Sequence, residues 1–181
     1  MVTLSIIILS YNTKYLIVKC LKSIADQYRS ELNEGKCEII IVDNSSKDGS
    51  QTEILKIKNQ ISNLKFIQNK ENVGFAKGCN IGAKEARGKY ILFLNSDTEV
   101  LDRGFLKMMG FLEQNNNIGI LGGKLENNDG SIQRSCGKFY NLFNLPIMLL
   151  GLERFGFLRS SPSKIQKVDW VSGACMMVKK D

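Results

Sequence analysis

Four short runs of large apolar residues, SIIIL, EIIIV, LKFI and YILFL, each break off in a polar cluster, and the stretches between them carry helical spacing. Few folds accept that alternation. Strands that are apolar at nearly every position are buried on both faces, which calls for a parallel sheet covered by helices above and below. Strands are expected at residues 2–10, 37–42, 64–69 and 90–94. After the first, Leu16, Val18, Cys20, Leu21, Ile24 and Ala25 give roughly helical periodicity that stops before Gln27. A second helix carries Ile54, Leu55 and Ile61 and is expected to be capped by a Ser or Asp of the turn-rich DNSSKDG at 43–49. A third spans 75–86, with Arg87-Gly88 read as its C-cap. The class is α/β with a Rossmann-like, mostly parallel sheet and helices on both faces.

The last third follows a different pattern. A helix is expected at 105–113, a strand at 118–125, a hairpin turn at Asp129-Gly130, and a strand over 168–178 broken by a small-residue bend. The apolar stretch 141–158 carries Pro146 and two charges and is too short and broken to cross a bilayer. A lid, a lipid-touching surface and ordinary packing all suit it; core or subdomain packing is the expectation.

With 181 residues, 43% of them hydrophobic, one domain with a sizeable core is expected. The apolar N-terminus is too short for a signal peptide or a span, which predicts a cytoplasmic protein. Five scattered cysteines without a C-x-x-C pair suggest buried small residues rather than disulfides or zinc ligands. The chain has no histidine, so proton transfer must fall to carboxylates. A net charge of +7 suits a nucleotide, a lipid-linked phosphate or an acidic membrane surface, while no long basic run marks a nucleic-acid arm.

Polar residues gather where the expected strands end: Ser10-Tyr11-Asn12, Asp43-Asn44, Asn69 with Asn72 and Gly74 beyond, and Asn95-Ser96-Asp97. In a parallel sheet these ends share one edge, where open α/β folds hold their ligands. Tyr11 offers a ring face to a base, and Asp43 an acceptor for the ring N–H of uracil or thymine. Lys77 or a metal ion would supply positive charge to a diphosphate. Asn95 and Asp97 would point the same way in extended backbone. One carboxylate with phosphate oxygens and waters then makes a Mg²⁺ or Mn²⁺ site. There is no P-loop and no G-x-G-x-x-G motif. Taken singly, each cluster has a plainer reading as a turn or a helix cap; their gathering on one edge points to a ligand.

SIIILSYNTKYLIVKCLKSI, IIIVDNSSKDGS, NVGFAKGCNIGAKEARGKYILFLNSDTEV, LENNDGSIQRSCGKF and VDWVSGACMMV together resemble the family 2 glycosyltransferases of the GT-A fold. Within that family the chain is similar to the rhamnosyltransferase-like enzymes of bacterial cell-surface polysaccharide synthesis. The resemblance implies inverting transfer of a sugar, rhamnose by subgroup, from a dTDP- or UDP-linked donor. A divalent cation (Mg²⁺ or Mn²⁺) would assist, and the acceptor would be the hydroxyl of a saccharide or a lipid-linked molecule at the inner face of the membrane. By position, Ser10, Tyr11, Asn12 and Asp43 would line the nucleoside pocket, and Asn72, Gly74, Lys77 and Asn80 would border the nucleotide and sugar. Asn95, Ser96 and Asp97 fall at the family's Asp-x-Asp motif, with Asp97 as the catalytic, metal-holding residue. Trp170, Ser172, Gly173 and Ala174 match the strand on the acceptor side, although Trp170 reads equally well as core. Residues 1–100 would form the nucleotide-binding half, and 101–181 the start of the acceptor-binding half.

Two departures stand out. Asn95 replaces the first aspartate of the motif, which predicts weaker metal binding. The family's catalytic carboxylate belongs to a Gly-Gly-Phe-Asp then Glu-Asp segment expected just beyond Asp181, so the sequence reads as C-terminally truncated. Asp169 and Asp181 are poor substitutes on position, and nucleotide-sugar binding without transfer is the alternative function.

Overall fold

The computed structural model describes residues 1–139, 149–150, 159–162 and 164–180. Its centre is a six-stranded sheet built from β1 (Leu4–Ser10), β2 (Cys37–Asp43), β3 (Leu64–Gln68), β4 (Tyr90–Asn95), β5 (Ile120–Gly122) and, late in the chain, β11 (Cys175–Lys179). The spatial order is β3-β2-β1-β4-β11-β5. The first four strands are parallel, and β11 enters antiparallel between β4 and β5. The direction of strand addition reverses at β1, so the β1/β4 boundary is the switch point where such sheets open a crevice.

The helices are α1 (Lys14–Asn33), α2 (Ser50–Lys58), α3 (Phe75–Glu85) and α4 (Gly104–Gln114). Strand alternation sorts the core into two layers. Ile6, Ile8, Ile39, Ile41, Leu92 and Leu94 pack beneath α1, α2 and α4, while Ile7, Ile40, Val42 and Ile91 face α3. Such layers require both faces to be apolar, which the continuous Ile/Val/Leu runs supply. In α1 the loss of periodicity near Gln27 is a kink rather than an end. Tyr28 leaves helical geometry (φ −123°), stacks on Phe105 at 5.1 Å, and the helix continues to Asn33. In α2, Ile54 is buried but Leu55 is largely exposed.

Gly78 and Gly82 let α3 lie close on the sheet. A Cβ at Gly78 would stand 2.4 Å from Leu9 Cδ1, and one at Gly82 2.6 Å from Ile7 Cγ2. Gly88 is not the C-cap that the sequence suggested. The helix has already ended at Glu85 with Ala86 extended, and Gly88 is needed for a close approach: an added Cβ would lie 2.6 Å from the Ser5 backbone nitrogen. Backbone cannot yield as a side chain can.

The remaining strands are short: β6 (Leu125–Glu126), β7 (Ile132–Gln133), β8 (Cys136–Gly137), β9 (Arg159–Ser160) and β10 (Trp170–Val171). β6 and β7 form the hairpin expected around Asp129-Gly130, with Gly130 at φ 79°. The strand expected at 118–125 is instead split between β5 and β6, whereas the bend expected within 168–178 separates β10 from β11. All five cysteines are free and buried. The 141–158 stretch lies outside the described residues apart from Leu149 and Leu150, both exposed. No helix among the described residues is long and apolar enough to cross a membrane.

Candidate functional site at the carboxyl edge

Register brings the expected site residues to a common level. Ser10 pairs with Asp43, Asp43 with Gln68, and Leu9 with Asn95. Asp43 and Asn95 thus lie two strands apart, about 10 Å at ~4.8 Å per strand.

The two loops leaving β1 and β2 are fastened to one another. Asn12, at φ 53°, donates its backbone N–H to Ser46 Oγ at 2.9 Å and accepts Lys47 N–H on Oδ1 at 2.8 Å. Asn rather than a bulkier residue suits that left-handed position. Ser46 in turn donates to buried Asp43, from its backbone N–H to Oδ2 at 2.9 Å and from its hydroxyl to Oδ1 at 2.5 Å. The Ser or Asp cap expected within 43–49 is not found: the N-cap of α2 is Gly49, at φ 89°, and Asp48, one residue before it, instead ties together the starts of two helices. Its Oδ1 accepts Ser50 N–H at the start of α2, and its Oδ2 accepts Lys14 N–H at the start of α1, both at 2.9 Å. Its carboxyl sits below the usual aspartate range: desolvation raises it, but the Ser50 hydroxyl and the Lys14 and Ser50 N–H groups outweigh that. Ser10 is buried, with Oγ 3.1 Å from Thr13 Oγ1, while Tyr11 stands 47% exposed beside this loop.

Asn44, just past the end of β2, lies on the α3 side, its Nδ2 3.4 Å from where a Cβ at Gly78 would stand. It is buried and acts as a hub. Its Oδ1 accepts from Asn69 Nδ2 at 2.8 Å, and its Nδ2 donates to Asn72 Oδ1 at 3.2 Å and to the Gly74 carbonyl at 3.3 Å. Asn72 Oδ1 also accepts Gly74 N–H at 2.9 Å, and Gly74, at φ 83°, opens α3. Asn72 and Gly74 therefore build the loop that presents α3. Lys77 and Asn80 are both exposed on that helix. Asn80, two residues beyond the sheet-facing Gly78, lies about 200° round the helix and so on the face away from the sheet.

Strand β4 stops at Asn95, and Thr98 N–H returns to the Asn95 carbonyl at 3.2 Å. Ser96 and Asp97 are thus the central residues of a turn, and the expectation that Asn95 and Asp97 share one extended strand is corrected. The turn buries Ser96 and lifts Asp97 out, its carboxylate exposed and without a hydrogen bond or ion pair among the described residues. Beneath the turn, Cys20 has its thiol pushed up to about 12, by burial first and then by the charges of Asp97 and Glu99. Glu99 is 3.7 Å from Lys19. No group of three or more acidic, His or Cys residues among the described ones forms a protein-only metal cage. A lone, unpartnered carboxylate suits a hard cation shared with phosphate oxygens and water.

The turn at 172–174 joins this edge, because the Ala174 carbonyl accepts Asn95 N–H at 3.0 Å. Ser172 Oγ accepts Ala174 N–H at 3.2 Å, and Gly173 lies against Phe75. Trp170, half-buried, pairs from β10 with Gly137, and its indole N–H donates to the Lys138 carbonyl at 3.0 Å. Asp169 Oδ2 accepts Phe139 N–H at 3.0 Å, and Asp181 lies outside the described residues. Sequence reasoning passed over Ser46, the double role of Asp48 and the hub at Asn44. The last had a signal: Asn44 directly follows β2, and the Gly78/Gly82 pair marks the helix that lies close to it.

Residues 5–181 match the model of glycosyl transferase family 2. An uncharacterized glycosyltransferase of Haemophilus influenzae is 29% identical over 133 residues, 74% of this chain and 39% of its own length. The poly(ribitol-phosphate) beta-N-acetylglucosaminyltransferase TarS of Staphylococcus aureus is 29% identical over 115 residues, 63% of this chain and 19% of its own. The crystal structure of S. aureus TarS 1-349 in complex with UDP has a TM-score of 0.62 at 26% identity, covering 74% of this chain and 39% of that one. Its complex with UDP-GlcNAc also scores 0.62 at 26% identity, over 74% and 38%. The chain spans about two fifths of the length of the Haemophilus relative. The α/β GT-A architecture expected from the sequence is the one observed.

Proposed function

The chain belongs to glycosyl transferase family 2, and on that premise we propose that it binds a nucleoside diphosphate sugar at the carboxyl edge of its sheet and serves transfer of the sugar to an acceptor hydroxyl in cell-surface polymer synthesis. The observation that carries this reading is the convergence of Asp43, the Asn44 hub and the lifted Asp97 on one edge at the switch point. Residues 1–100 would hold the nucleotide, and 101–181 would contribute the acceptor side.

In this reading Tyr11 packs on the base, and Asp43 accepts the ring N–H of the pyrimidine with its orientation already set by Ser46. Asn12, Asn72 and Gly74 hold their loops in shape, so the nucleoside meets a preorganised surface. Lys77 offers positive charge to the diphosphate. Asp97, with Asn95 as its neutral neighbour, would hold a divalent cation such as Mg²⁺ or Mn²⁺, which supplies compensation for negative charge on the departing diphosphate. In the transfer, the acceptor oxygen bonds to the anomeric carbon from the face opposite the diphosphate as the sugar–diphosphate bond breaks, inverting that centre. The acceptor proton passes to a carboxylate acting as general base. A uridine diphosphate sugar leads as donor because S. aureus TarS is captured with UDP and UDP-GlcNAc, with dTDP-rhamnose behind it.

Titration calorimetry with UDP and Mn²⁺ tests the pocket. Wild type is expected to bind, and Asp43→Ala to bind about 10- to 100-fold more weakly, the scale of one hydrogen bond to a charged group. Unchanged affinity in a folded variant would remove Asp43 from the pocket.

A further inference from the structure

Phe75 takes no part in the networks above. It is the first residue of α3, yet its side chain is 55% exposed, and its ring carbons lie 3.3 and 3.4 Å from where a Cβ on Gly173 would stand. Gly173 is not among the positive-φ glycines, and a Cβ there would touch the ring closely, pressing it by a few tenths of an ångström. This contact joins two parts of the fold. Helix α3 lies over β1 and β2 through Gly78 and Gly82, whereas the turn at 172–174 is bound to β4 through Asn95 and Ala174. The ring therefore reaches across the β1/β4 boundary where the crevice opens.

A single exposed apolar side chain is ordinary on a protein surface. This one is seated on a glycine at the ligand edge, between the loop at 69–74 and the turn at 172–174, in a place where Asn72 Oδ1 and Gly74 N–H already satisfy each other. Just past that loop, at the start of α3, the exposed ring of Phe75 offers a ligand an apolar face. We propose that the exposed side of Phe75 packs on the C–H face of the donor's sugar ring, making it a sugar-contacting, specificity-determining residue between the diphosphate and the acceptor. The inference rests on the nucleotide-sugar reading of the edge. A pyranose presents an apolar C–H face beside its hydroxyls, and aromatic side chains supply large contact area with few torsions to freeze.

The test is calorimetric binding of two ligand pairs in Mn²⁺, UDP against UDP-GlcNAc and dTDP against dTDP-rhamnose. For Phe75→Ala, affinity for the bare diphosphate is expected to stay within about 2-fold, while affinity for the sugar-bearing ligand of the bound pair falls about 5- to 10-fold, the scale of one aromatic contact. Phe75→Tyr should keep wild-type behaviour. Gly173→Ala, which presses the ring by a few tenths of an ångström without removing it, should show a smaller loss that is also selective for the sugar-bearing ligand. Parallel loss for diphosphate and nucleotide sugar, or no loss for either, would overturn the role of Phe75 while leaving the nucleotide site standing. A wild-type protein that binds neither diphosphate would overturn both readings, and it would show in the first titration.

Discussion

An Arg87→Met protein is expected to unfold about 1–2 kcal/mol more easily than wild type near neutral pH: Glu38 is buried and loses its counter-charge, but Arg87 is 65% exposed, so solvent screens part of the pair. The charge left behind is Glu38, whose side chain is 4% exposed on the second strand of the sheet. Its Oε1 accepts from the Ser5 hydroxyl at 2.6 Å and from Arg87 N–H at 2.7 Å, and its Oε2 from Arg87 Nε at 2.9 Å and Nη2 at 2.7 Å. Ser5 Oγ also accepts Gly88 N–H at 2.8 Å, so the network fixes how the chain enters β4. Burial pushes the Glu38 carboxyl up, but the Ser5 hydroxyl and Arg87 together hold it below the usual glutamate range. A carboxyl lowered on folding stabilises fully above its unfolded value, about 4.3, and that contribution fades as pH falls through the lower folded value. The difference between wild type and Arg87→Met, read from urea unfolding, should therefore be largest at neutral pH and shrink in acid. A difference under about 0.5 kcal/mol at pH 7, the range of ordinary surface substitutions, would show that the pair contributes little.

Asp97→Ala is expected to lower the affinity for UDP in saturating Mn²⁺ by about 100-fold, nearly 3 kcal/mol, while leaving metal-free UDP affinity within about 2-fold. The separation arises because Asp97 makes no hydrogen bond or ion pair among the described residues, and a side chain without partners can be removed without disturbing its turn. Asp43→Ala should behave differently, weakening UDP with and without the metal. Equal losses under both conditions for Asp97→Ala would mean that Asp97 acts on the nucleotide directly.

Much of the architecture was legible because both-face burial leaves a continuous signal: SIIIL, EIIIV and YILFL could only be central parallel strands. The polar cluster at each strand end was legible for the same reason, since the apolar run stops where the sheet does. Errors arose where a local signal had a non-local cause. Gly88 looked like a helix terminator, yet it answers to the backbone of Ser5, 83 residues away. Asn95 and Asp97 looked like same-face strand neighbours, but the Thr98 N–H bond to Asn95 ends the strand between them. The stretch expected as one strand at 118–125 is divided because only Ile120–Gly122 finds a partner in β11, itself more than fifty residues further along. Asn44 stood out in the sequence chiefly as the neighbour of Asp43; its place as hub depends on the later loop at 69–74 folding onto it.

The central claim is that nucleotide and cation share one site on this edge, and the melting temperature of the wild-type protein tests it most directly. It should be measured with UDP alone, Mn²⁺ alone and both together. Ligands that bind only the native state raise stability by mass action, so joint binding at about 100-fold over Kd should raise the midpoint by about 5–10 °C, well beyond the sum of the separate shifts. Shifts that merely add, or a nucleotide shift indifferent to the metal, would contradict the shared site.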